Sequence, residues 1–192
     1  MNSRKLSAQI NALGHEARAA SRLLAKSSTE VKNQALLNIS EALLFKQDMI
    51  LESNRLDYEA ALEKDPNPVN ADRLMLNAER LAAMADGVRR IVSLNDPIGE
   101  EFDEKTLENG LSLKKRRVPL GIIGVIYESR PNVTVEIAAL CLKTGNATIL
   151  RGGSDALNSN KALVACIKDA ITDAGLPSES IQFIESTDRA AV

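Results

Sequence analysis

Histidine and cysteine are scarce in this chain: it has one histidine, His15, and two cysteines, Cys141 and Cys166. So few ligands make neither a disulfide framework nor a structural metal site. Excess charge is missing as well. Twenty-four Lys and Arg stand against 26 Asp and Glu, a formal net charge of -2, which offers no field to attract nucleic acid or an anionic membrane. No apolar signal core follows Met1 to Ser7, and the longest apolar run, Leu120 to Tyr127, is far too short to span a bilayer. Internal repeats, low-complexity segments and the G-x-G-x-x-G dinucleotide fingerprint are all absent. What remains is an ordinary globular composition, 44% hydrophobic and 26% charged over 192 residues, enough to bury a core. The expectation is a soluble, cytoplasmic protein with no nucleic-acid or membrane partner and no metal.

The first half reads as helix. Leu6, Ile10, Leu13, Ala17, Ala20 and Leu24 recur at helical spacing within Ser3 to Ala25. Ser27-Ser28-Thr29-Glu30 fits a capping box with Ser27 as the cap. The helix it opens carries Val31, Ala35, Leu36, Ile39, Leu43 and Leu44 and runs towards Leu62, with a break or bend near Ser53-Asn54. Asp65-Pro66-Asn67-Pro68 ends it. Leu74 and Met75 suggest further helix, and Asn77 is placed to cap Ala78 to Val92 before Asp96-Pro97 stops it.

The period then changes. Glu101 to Lys105 and Leu111 to Val118 read as an exposed hairpin around Asn109-Gly110. Leu120 to Tyr127 lacks polar alternation and reads as a central parallel strand covered on both faces. Pro131 opens a helix whose apolar face is read as Val133, Ile137, Leu140, Cys141 and Thr144. Ala147 to Arg151 is a second strand, Gly152-Gly153-Ser154-Asp155 a turn, and Leu163, Ile167, Ala170 and Ile171 the apolar face of the next helix. Ile181 to Glu185 is a third strand, and Ser186-Thr187-Asp188 is placed to cap a helix from Arg189. Strand, helix, strand, helix, strand at this spacing predicts half of a right-handed doubly wound sheet, an α/β fold. The division expected is a helical segment over 1–99, a hairpin arm over 100–118 and a partial Rossmann-like domain over 119–192.

In such sheets ligands gather at the carboxyl ends of the strands. There the sequence places Tyr127, Glu128, Ser129, Arg130, Pro131 and Asn132 after one strand and Arg151, Gly152, Gly153 and Ser154 after the next. Both loops lead into helix N-termini, whose amides and dipole favour phosphate or carboxylate. The plainer reading is a tight turn at Gly152-Gly153, with Arg130 and Arg151 solvated or paired with nearby acids such as Glu128 and Asp155. Lys114 to Arg117 reads as the solvated face of the hairpin. Cys141 and Cys166 fall among apolar positions and read as packing residues rather than reactive thiols. His15 has no catalytic constellation around it, and no general base is identifiable.

Arg116 to Val135, with Tyr127-Glu128-Ser129-Arg130-Pro131-Asn132-Val133-Thr134 at its centre, then Leu140 to Ala147 and Ile149 to Gly153, strongly resemble gamma-glutamyl phosphate reductase, a family of the aldehyde dehydrogenase superfamily. Ordinary aldehyde dehydrogenases usually carry Pro-Trp-Asn at this strand end and Lys-Pro where this chain has Arg151-Gly152. Ser27-Ser28 and the stretch from Asp72-Arg73-Leu74 to Arg80 are similar too, so the likeness covers essentially the whole chain. It implies reduction of L-glutamyl 5-phosphate by NADPH to glutamate 5-semialdehyde and phosphate, in proline synthesis. A cysteine thiolate displaces phosphate, and hydride releases the aldehyde from the thioester.

On that resemblance Arg130 is a candidate for an anionic substrate group and Asn132 for an amide donor to oxygen. Tyr127, Glu128 and Ser129 are candidates for the nicotinamide side of the cofactor site. Arg151, Gly152, Gly153 and Ser154 would lie beside the adenosine ribose and its phosphate, where Arg151 would favour NADPH over NADH. Glutamate 5-kinase is the implied pathway neighbour and a homo-oligomer the implied assembly. Family members are considerably longer, and their nucleophilic cysteine, second glycine-rich loop and oligomerisation segment have no counterpart here, so the chain alone is expected to be inactive. Two competitors stand beside this reading: an aldehyde dehydrogenase acting on a free aldehyde, and a non-catalytic module binding a nucleotide or partner subunit.

Overall fold

The computed structural model describes residues 3–65, 71–188 and 190. Its first half contains α1 (Ser3–Leu24), α2 (Thr29–Phe45), α3 (Gln47–Lys64) and α4 (Ala78–Ser93). The cap of α2 is Ser28, one residue later than read. Its Oγ accepts the Val31 amide at 3.4 Å, because Ser27 still belongs to the last turn of α1, its amide bonded to the Leu24 carbonyl at 3.0 Å. The break expected near Ser53-Asn54 falls instead at Lys46, which has φ -97° and ψ 17°. Ser53 and Asn54 stay helical: the Ser53 hydroxyl bonds back to the Met49 carbonyl, and Asn54 is buried with partners on other segments. Leu74 and Met75 do not continue a helix; both amides bond to the Ala71 carbonyl in a turn that ends there. Asn77 caps α4 as read, its Oδ1 accepting the Arg80 amide at 2.7 Å.

Strands β1 (Glu101–Thr106) and β2 (Ser112–Arg116) pair antiparallel in an exposed hairpin. Gly110 takes φ +84° at its turn, a value open to glycine at no steric cost. Lys114 pairs with Glu101, Lys115 with Asp103 and Arg117 with Glu100, so the basic run is largely neutralised across the hairpin, and the Arg117 guanidinium lies 4.9 Å from the Phe102 ring centre.

The second half alternates β3 (Ile122–Ile126), α5 (Pro131–Lys143), β4 (Ala147–Arg151), α6 (Leu157–Asp173) and β5 (Ile181–Phe183). The three strands are parallel in the order β3-β4-β5. Successive right-handed crossovers stepping in one direction put α5 and α6 on the same face of the sheet. Helix α1 lies across all three strands on the other face. One core cluster joins α2, α3 and α4 to α5, α6, β4 and β5, through Leu36, Ile50, Leu81, Leu142, Leu163, Leu150 and Ile181. The helices of the first half therefore pack directly on the sheet unit.

Two readings of this half need correction. Strand β3 is an edge strand among the described residues, not a central one, and Ile126 is 60% exposed; in a doubly wound sheet that edge is where a fourth strand pairs. The buried face of α5 is Thr134, Val135, Ala138, Ala139 and Leu142, while Val133 and Ile137 are half-buried and Leu140 is exposed. Small Ala138 and Ala139 are fully buried in the core shared with the neighbouring helices, although their side chains carry little hydropathy. Cys141 on this helix is buried as read, and so is the predicted face of α6. Strand β5 ends at Phe183, earlier than expected. The helix expected from Arg189 lies outside the described residues. Among the described residues no helix is long and apolar enough to cross a membrane.

A buried ionic cluster locks α2 to the end of α4. Asp96 accepts from Thr29 Oγ1 at 2.7 Å and from the Ile98 amide at 3.0 Å, and it pairs with the nearly inaccessible Lys32. Burial alone would raise the Asp96 pKa, but Lys32, the Ile98 amide and Thr29 together hold it below its ordinary 3.8. Its stabilising contribution is thus complete above that ordinary value and disappears as pH falls through the lowered one. Replacing Asp96 with Ala strands the Lys32 charge, and urea unfolding at neutral pH should show a loss of roughly 3–5 kcal/mol. A loss under about 1 kcal/mol, the range of an exposed pair, would contradict this account.

Candidate functional site

The ends of β3 and β4 lie side by side, with the Tyr127 amide donating to the Arg151 carbonyl at 3.1 Å. Behind them runs a polar chain. The Tyr127 hydroxyl and Thr134 Oγ1 are 2.7 Å apart, and Thr134 Oγ1 lies 2.7 Å from Asn160 Oδ1. Thr134 and Asn160 are fully buried. Burial pushes the Tyr127 pKa up to about 12 despite the Thr134 contact, so the phenol stays neutral and serves as a hydrogen-bonding group rather than a base.

Gly152 and Gly153 are small because the two loops touch. A Cβ on Gly152 would meet Asn160 Nδ2 at 2.2 Å and Tyr127 Cε2 at 3.1 Å; one on Gly153 would meet Ser129 Oγ at 2.2 Å and the Ser129 amide nitrogen at 2.8 Å. Gly153 has φ -61° and ψ 152°, ordinary for any residue, so close approach rather than turn geometry requires glycine. Ser154 is exposed on the outer side of this contact.

The N-terminus of α6 is already occupied. Asp57, buried on α3, accepts the Asn158 and Ser159 amides at 3.2 and 2.7 Å, and the Asn158 side-chain amide and Ser159 hydroxyl at 2.8 and 2.6 Å. An internal carboxylate thus takes the place expected for an anionic ligand at that helix end. Arg151 does not pair with Asp155, which binds Lys64 at 3.0 Å. The Arg151 guanidinium instead donates to the Asp188 carbonyl at 3.2 Å, and its buried Nε has no partner. No carboxylate pairs with Arg151 among the described residues.

Arg130 and Asn132 face a different space, a cleft of about 460 Å³ between α4, the turn before it and the start of α5. Arg130 pairs with Glu128 at 3.1 Å, as the plainer reading had it, and Asn132 Nδ2 donates to Glu136 Oε1 at 3.1 Å. Helix α5 has no side-chain cap. Asp72, Arg73, Arg80 and Glu136 join the rim and Met75, Leu76, Ala83 and Met84 supply apolar walls. Sequence reasoning did not assign a role to Arg73, Arg80 or Glu136. The available signals were the likeness of the Asp72-to-Arg80 stretch to the family and the four-residue step from Asn132 to Glu136 along one helix face.

Both thiols are buried. Burial raises the Cys141 pKa and pushes Cys166 up to about 11, with the Lys46 charge lowering it only in part. Neither is a nucleophile near neutral pH.

Parallel strands feeding helices at this crevice, with an N-terminal helical layer and a hairpin, define the aldehyde dehydrogenase fold. An acetylating aldehyde dehydrogenase from Geobacillus thermoglucosidasius matches with a TM-score of 0.66 at 16% identity, over 100% of this chain and 39% of that one, a likeness of fold alone. Within that class the relationship is closer and specific: the chain belongs to the gamma-glutamyl phosphate reductase family. It is 55% identical over 181 residues to the enzyme of that name from Tolumonas auensis, covering 94% of this chain and 43% of the relative. The crystal structure of gamma-glutamyl phosphate reductase from Thermotoga maritima matches with a TM-score of 0.91 at 45% identity, over 94% of this chain and 44% of that one. The chain spans less than half the length of these relatives. No family model matches it.

Two measurements test this geometry. Gly153→Ala should lower unfolding free energy by about 1–3 kcal/mol, because the Ser129 backbone cannot retreat as a flexible side chain would; an unchanged urea midpoint would refute the close contact. Iodoacetamide at pH 8 should leave both cysteines unmodified in the folded chain and alkylate both in urea. Rapid native labelling of either would contradict the burial.

Proposed function

We propose that this chain is part of an NADPH-dependent reductase that converts L-glutamyl 5-phosphate to L-glutamate 5-semialdehyde and phosphate in proline synthesis. The carrying observation is the cleft that brings Arg130 and Asn132 together beside an uncapped helix start. Arg130 would hold an anionic group of the substrate; its present partner, Glu128, is an exposed carboxylate that a ligand can displace at little cost. Asn132 uses one amide hydrogen on Glu136 and has a second for the oxygen on which negative charge develops. Attack on the acyl carbonyl needs a thiolate, a role that Cys141 and Cys166, buried and with raised pKa values, do not suit.

The residues at the second strand end fit a phosphorylated cofactor. Arg151 carries a charge that no carboxylate neutralises among the described residues and an Nε with no partner among them, which suits a ribose phosphate better than a bare hydroxyl. With the α6 N-terminus taken by Asp57, selectivity would rest on that guanidinium and the exposed Ser154 rather than on the helix dipole. Tyr127 and Ser129 would wall the crevice, with Glu128 at its mouth and Gly152 and Gly153 keeping the two loops together. The nicotinamide, when bound, supplies the hydride. The 119–192 unit would be the partial cofactor-binding domain of a homo-oligomeric protein whose substrate comes from glutamate 5-kinase.

Thermal unfolding of the purified chain with NADPH and with NADH tests the cofactor part, because a ligand at a hundred times its Kd stabilises by about 2.7 kcal/mol. NADPH should raise the midpoint, NADH should raise it less, and Arg151→Ala should abolish the difference. Equal responses to the two nucleotides, or none to either, would remove Arg151 from the site. The chain by itself should give no NADPH oxidation with the acyl phosphate.

A further inference from the structure

Three arginines line the cleft, and their bonding differs. Arg80 is committed to the protein: it donates to the Asp72 and Met75 carbonyls at 2.6 and 2.8 Å and to the Asp72 carboxylate at 2.7 Å. Those bonds pin the turn that precedes α4. Arg130 has Glu128. Arg73 is exposed at the cleft and forms no ion pair among the described residues, and residues 66–70, Pro-Asn-Pro-Val-Asn, contain no carboxylate to offer it. An uncommitted guanidinium beside apolar Met75, Leu76 and Met84 is a bidentate carboxylate receptor next to a surface that suits methylene groups.

This bears on the substrate proposed above, on which the inference rests. A glutamyl acyl phosphate has two anionic ends joined by methylenes: the phosphate at the reacting carbonyl and the α-carboxylate at the far end. Arg130, adjacent to Asn132, serves the reacting end. We propose that Arg73 binds the α-carboxylate, making it the residue that selects α-amino dicarboxylic substrates from simple acyl phosphates or aldehydes of the same length. Arg73 is a specificity residue, with Arg80 and Asp72 holding the turn that presents it.

The test is calorimetric titration of the 192-residue chain with two probes, L-glutamate and 4-aminobutyrate, which has the same chain without the α-carboxylate. Wild type should bind L-glutamate at least about tenfold more tightly than 4-aminobutyrate, the step worth one charge-assisted contact. Arg73→Gln should erase that preference by weakening L-glutamate alone. Arg73→Lys should restore part of it, since the charge returns without the bidentate fork. Circular dichroism and the thermal midpoint should match wild type for both variants, the side chain being exposed. An Arg73→Gln protein that still prefers L-glutamate would overturn the role of Arg73 while leaving the substrate reading intact. Wild type that binds neither probe, or both equally, would overturn the assignment of this cleft to a glutamyl group and the inference with it.

Discussion

Asn54 and Asp57, one turn apart on α3 and both buried, tie two distant segments to that helix. The Asn54 side chain donates to the Leu74 carbonyl at 2.8 Å and to Ser159 Oγ at 3.0 Å and accepts the Leu76 amide at 2.7 Å. Asp57 receives the first amides of α6. Hydrogen bonds to a charged acceptor contribute about 1.5–3 kcal/mol each, and here they also satisfy helix-end amides that would otherwise be buried without partners. One wall of the cleft, at Met75 and Leu76, and the loop after β4 are therefore positioned from the same two side chains.

The crevice between the two strand ends depends on that anchorage. With α6 fixed at Asn158 and Ser159, Asn160 stands behind Gly152 and completes the chain to Thr134 and Tyr127. The loops then approach so closely that neither glycine has room for a Cβ. Arg151 emerges beside this contact with no carboxylate partner among the described residues, whereas the N-terminus of α6, a site that suits phosphate, holds Asp57. The region at the second strand end thus has the Arg151 side chain as its source of positive charge in place of the α6 N-terminus, whereas the cleft has arginine side chains and the uncapped start of α5 together.

Local signals were legible where a single residue type dictates geometry. Asn77 before a periodic run, Pro131 at a first helical turn and Gly110 at a hairpin tip each have one dominant structural use, and each is found in it. The errors share a different cause. Asn54 looked like a helix break because a carboxamide inside a helix competes with the backbone when its partners are local; its partners proved to be tertiary. The α5 face was misplaced because small Ala138 and Ala139 carry little hydropathy yet are fully buried in the core. β3 read as central because its composition anticipates covering on both sides, whereas among the described residues only β4 pairs with it.

Residue types and spacing by themselves determined the element order, the parallel α/β class and the placement of Arg130, Asn132 and Arg151 at strand ends, because backbone conformation and strand-end position follow from short-range sequence. Which charges stay available was decided only by tertiary structure. Asp155 went to Lys64, Asp57 took the α6 amides and Asp72 took Arg80, while Arg73 and Arg151 have no ion-pair partner among the described residues. Ion pairing depends on distances between segments far apart in the chain, and no local pattern encodes those distances.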